Sequence, residues 1–85
     1  MATPERIADL EAYCKQWEDS LANVTERRDQ LLSWQSNGMH IFENDSEEDL
    51  LPTLIAEADS AARTFQKVLI RMQFLRDRAI AGEDV

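Results

Sequence analysis

His40 is the only histidine of the 85-residue chain, and a Ser or Cys nucleophile would need a base of this kind held against it. Glu43 follows three residues later and could orient the imidazole, but no nucleophile is placed with the pair. No catalytic residue is assigned. Further along, Asp45, Glu47 and Asp49 alternate as the ligands of a calcium loop do. Its sixth position would be Leu50 in place of the glycine that makes the turn, and its twelfth Ala56 in place of a bidentate Glu, so the coordination sphere cannot close. These acids read as a solvated helix start that sets negative charge against the helix dipole.

Glu26 and Asp29 form Glu-x-x-Asp, a spacing also used by helical magnesium-dependent pyrophosphatases. Both fall on the outer face of their helix, away from the seam where a bundle metal site is built. The lone Cys14 excludes an intramolecular disulfide and reads as a small apolar core residue, since Lys15 alone is weak activation for a thiol. Two isolated glycines cannot make a phosphate cradle. The expectation is a non-enzymatic protein with no metal and no cofactor.

Two ladders of alternating three- and four-residue steps must position everything else. The first is Ile7, Leu10, Cys14, Trp17, Leu21, Val24, Arg28, Leu31; the second is Leu51, Leu54, Ala58, Ala61, Phe65, Val68, Met72, Leu75, Ala79. A mean step of 3.5 residues keeps one apolar seam, positions a and d of a heptad, against a partner helix. Thr3 and Pro4 suit a helix start, Asn37 and Gly38 a helix end. The reading is one domain over 1–85: helix 1 at about 4–35, a connector at 36–48, helix 2 at about 49–81 with Asp49 as its cap, and an acidic tail at 82–85. Ser46 would open a separate turn. The predicted fold class is all-α, an antiparallel two-helix hairpin with a coiled-coil-like seam, completed to a four-helix bundle by dimerisation or by a partner.

Seam residues carry their own expectations. Trp17 at d packs on the region of Phe65 and Val68, and Trp34 packs beneath the connector residues Met39, Ile41 and Phe42. Arg28, the one polar rung, approaches Glu57 or Asp59 and fixes register. Folding back also brings the basic end of helix 2 beside Glu5, Asp9 and Glu11.

Seventeen acids against nine Lys and Arg give a net charge of -8, which repels phosphate backbones and anionic lipid, so no direct nucleic-acid or membrane binding is expected. The charged start of the chain does not resemble a secretory leader, and the expected location is the cytoplasm. Helix 2 is wider than its seam: Ile55, Ala62 and Leu69 lie at e, while Ile70 at f and Phe74 at c lie off it. Leaving such side chains wet forgoes roughly 1.5–3 kcal/mol each. A protein partner, a second copy of the chain, or both should therefore cover this face. The expected partner-binding residues are Ile70, Phe74, Lys67, Arg71 and Arg78, with Met39, Ile41 and Phe42 as a second patch. This is the pattern of a small adaptor, co-chaperone or inhibitor. The alternative is an inhibitor whose acidic patch, Glu43, Asp45, Glu47, Glu48, Asp49, Glu57 and Asp59, mimics nucleic acid. No family is assigned: Trp34, Gln35, Ser36 lacks the glycine of the Trp-x-Gly turn of WXG-type secreted hairpins.

Overall fold

In the computed structural model, which describes residues 2–43, 45 and 47–85, the Thr3 hydroxyl oxygen accepts from the Arg6 amide at 3.1 Å. With Pro4 at the first helical position, where its missing N–H costs nothing, this cap starts α1, Pro4–Ser36. The helix ends in a Schellman motif: the Met39 amide donates to Trp34 O and the Gly38 amide to Gln35 O, both at 3.0 Å. Gly38 takes φ +76° to make that reversal. α2, Leu51–Ile80, closes in the same way, the Glu83 amide donating to Arg78 O and the Gly82 amide to Ala79 O, with Gly82 at φ +93°. Both glycines of the chain are therefore spent on helix ends.

α2 starts later than the acidic run suggests. Leu50, not Asp49, is its N-cap residue, with a helical backbone and no side-chain cap bond of its own. Asp49 acts from one position further out, its Oδ1 accepting the Leu51 amide at 3.0 Å. Pro52 falls in the first turn, where no amide is needed. The turn expected at Ser46 lies outside the described residues.

The two helices pack antiparallel as an all-α hairpin. Leu31 of α1 meets Leu51 and Ala58 at the start of α2, Trp17 meets Phe65 edge-to-face at 5.4 Å, and the Arg6 guanidinium donates to Val85 O at 3.1 Å. On α1 the buried residues, Leu10, Cys14 and Leu31, hold the expected a and d positions. On α2 they do not: Leu51, Ala58 and Ala79 are at a, Ala62 and Leu69 at e, and none is at d. The d row, Leu54, Ala61, Val68 and Leu75, is only half-buried. α2 has thus rolled to aim its a/e edge at α1, because the e residues Ile55, Ala62 and Leu69 make that edge as apolar as the predicted one.

The connector is knitted to the hairpin end. Phe42 and Asp49 pair as an isolated antiparallel bridge, and the Leu50 amide donates to Ile41 O at 2.7 Å. This folds Ile41 onto the Leu31, Leu51 and Ala58 cluster, with Trp34 packed alongside. The molecule is long and thin, 59 × 22 × 15 Å with a radius of gyration of 18.4 Å. A compact domain of this length would have a radius of about 12 Å.

Candidate protein-binding surface

Ile70 and Phe74 are each 57% exposed on the outer face of α2. One helical turn apart, they share a face. Arg78 lies one turn beyond, its guanidinium carbon 5.4 Å from the centre of the Phe74 ring, and it also donates two hydrogen bonds to the Glu83 carboxylate at 3.0 Å. That pairing holds the Arg78 pKa above its ordinary value and the Glu83 pKa below. Lys67 and Arg71, both exposed, complete the surround. The arrangement is an aliphatic and aromatic pair rimmed by cations, the chemistry of an interface anchor for an apolar and acidic counterpart.

The second expected patch is divided. Met39 and Phe42 are 48% and 55% exposed, but Ile41 packs inward against the core cluster. It is withdrawn from the surface because the Asp49 carboxylate holds its amide, Oδ1 accepting from Ile41 N at 3.0 Å. Periodicity could not show this, since the connector has none.

His40 finds its carboxylate in Asp49 rather than in Glu43, Nδ1 lying 2.8 Å from Oδ2. A carboxylate only accepts, so Nδ1 carries the proton in this bond. With this bond first, then the amides of Ile41 and Leu51, the Asp49 pKa falls to about 2. The pair is a structural clamp on the connector. It also consumes the third acid of the calcium-like run. Among the described residues no group of three or more His, Cys, Asp or Glu side chains is gathered as a metal site requires.

The acidic patch is likewise split by its own bonds. Asp59 accepts from Arg28 across the helices at 3.2 Å and from Arg63 one turn along at 3.0 Å, which settles the partner of Arg28 as Asp59 rather than Glu57. Asp49 is occupied in the connector, while Glu43, Asp45, Glu47, Glu48 and Glu57 are exposed. At the far end of the hairpin the ion pairs among the described residues are local to α2 and the tail, Arg76 with Asp77 and Arg78 with Glu83.

Cys14 is 2% exposed and serves as core. Trp17 and Trp34 are both half-buried, Trp17 against Phe65 and Trp34 against the Leu31, Leu51 and Ala58 cluster. Glu26 and Asp29 line a shallow depression with Asn23, Arg27 and Gln30, all on α1, so no second element closes it into a site. Among the described residues three large side chains are exposed beyond those expected: Tyr13 and Leu32, flanking the α1 ladder at g and e, and Ile80 at the end of α2. A full heptad projection of each helix shows their positions. No helix among the described residues is long and apolar enough to cross a membrane. No protein family, curated protein or solved structure matches the chain.

Proposed function

We propose that this chain is a non-enzymatic protein-interaction module, acting in the cytoplasm as an adaptor, co-chaperone or inhibitor, that docks a protein partner on the outer face of α2. The observation that carries the reading is the exposure of Ile70 and Phe74 together, one turn apart, amid Lys67, Arg71 and Arg78. Burying the two side chains would contribute roughly 3–6 kcal/mol, enough to anchor a helix laid along α2. The cations favour a partner that brings carboxylates to the rim, where they set approach and orientation more than strength. Met39 and Phe42 at the connector end offer a smaller second contact.

The test is affinity capture from native lysate with the wild-type chain and with Ile70→Asp/Phe74→Asp, each at low and high salt. A partner kept by the wild type in high salt and reduced at least about tenfold by the double variant supports hydrophobic docking. Partners that ignore the double variant and leave with salt would instead favour recognition of the exposed acids, the nucleic-acid mimic. The two substitutions sit on an exposed face, so helicity measured alongside should not change.

A further inference from the structure

The d row of α2 is apolar throughout, Leu54, Ala61, Val68 and Leu75, and α1 covers it only halfway. Beside it runs the g row, in which Glu57, Thr64 and Arg71 are all exposed. Neither Glu57 nor Arg71 has a hydrogen bond or ion pair with a described residue. Both rows read nearly the same under a two-fold axis at Thr64, the g pair centring on Thr64 and the d pairs half a residue further on. Around that point Leu54 exchanges with Leu75, Ala61 with Val68, and Glu57 with Arg71.

We propose that a second copy of this chain occupies the d row, α2 packing antiparallel on α2 about a two-fold axis at Thr64. Leu54 of each copy then meets Leu75 of the other, Ala61 meets Val68, and two equivalent Glu57 to Arg71 ion pairs flank the seam. In antiparallel helix pairs the g row of one helix faces the g row of the other, which is where these charges stand. A parallel pairing would put the two g rows on opposite sides of the seam and leave Glu57 and Arg71 without these partners, so the charges favour the antiparallel direction. Ala61 and Thr64, the small residues nearest the axis, let the two backbones approach. α2 would then bury its a/e edge on α1 and its d edge on its twin, using the full width of its apolar face.

The exposed area leaves room for this. The chain exposes 6145 Å², whereas a monomeric protein of 9.8 kDa exposes about 5,200 Å². The excess, about 1,000 Å² per chain, matches the roughly 800 Å² that each partner contributes to a stable interface. Ile70 at f and Phe74 at c lie outside the d row and are not part of the seam. The dimer goes beyond the partner reading and shares only Arg71 with it, so the partner face is tested by Ile70→Asp/Phe74→Asp, which leaves Arg71 in place.

Sedimentation equilibrium on the full chain tests the proposal, comparing the wild type with Glu57→Arg, Arg71→Glu and the double exchange Glu57→Arg/Arg71→Glu. The wild type should be a dimer. Each single change makes two like-charge contacts and should weaken association about ten- to thirtyfold, and the double exchange should restore it. A second measurement uses a short bismaleimide on Thr64→Cys, which should join two chains, with Arg63→Cys on the opposite face as the control. A monomer at every concentration, single variants that associate like the wild type, a double exchange no better than its parents, or cross-linking at position 63 in preference to 64 would each overturn it. Ile70→Asp/Phe74→Asp should leave the dimer intact, so failure of the partner reading would be seen separately.

Discussion

Asp49 does three things with one carboxylate: it receives the Ile41 and Leu51 amides on one oxygen and His40 on the other. Its sequence position beside a helix start suggested a cap, and that much was legible because an Asp there has a local job to do. The contacts with Ile41 and His40, eight and nine residues away, depend on how the connector folds, which neither spacing nor residue type reports. The lowered pKa gives the clamp a pH signature. Because the folded-state value, about 2, lies below the ordinary 3.8, the stabilisation is fully present above about pH 5 and is lost as pH falls from there toward 2. Asp49→Ala should therefore melt a few degrees below the wild type at pH 6 and coincide with it near pH 2. Amide exchange at Ile41 and Leu51 should quicken in the variant at pH 6 while α1 core amides hold; a gap that persists unchanged at pH 2 would assign the effect to something other than the carboxylate charge.

Both helices were legible from their ladders, and so was the antiparallel fold, because a 3.5-residue apolar repeat has few other uses. The roll of α2 was not. Its e residues are as apolar as its d residues, so pattern alone leaves two edges equivalent, and only packing against a particular α1 chooses a/e. The helix ends are sharper signals, since a left-handed residue suits glycine for a reason local to it. Gly38 has nothing within 4 Å of where a Cβ would stand, so replacing it tests backbone conformation alone. Gly38→Ala should lose the left-handed cost, about 1–2 kcal/mol, offset in part by about 0.4–1 kcal/mol from a less flexible unfolded chain. The net, about 1 kcal/mol, should lower the melting temperature by about 4–8 °C. Gly38→Asn, which tolerates this conformation better, should lose less. Equal losses for Ala and Asn would mean that the Schellman geometry is not what holds this end.

A two-helix hairpin has no interior beyond one seam, and the long, thin shape of this chain shows it. Among the described residues only eight apolar ones are buried, three of them alanine and one cysteine. The exposed pair Ile70 and Phe74 was legible because heptad labels place f and c outside any two-helix seam, while the open d row was not, since those labels assign d to the core. Covering the d row would therefore add to stability as well as to assembly. If the folded unit is the antiparallel dimer, unfolding and dissociation are one event, and the melting temperature depends on concentration. With an unfolding enthalpy of about 0.7 kcal/mol per residue, hence about 120 kcal/mol for two chains, a hundredfold dilution should lower the midpoint by about 8 °C. Glu57→Arg should lower the midpoint at any fixed concentration by making dissociation easier, and Arg71→Glu added to it should bring the midpoint back. A midpoint unchanged between micromolar and hundred-micromolar protein would mean that one α1 against one α2 is a complete folding unit. Its half-open d row would then contribute nothing to the stability of the free chain.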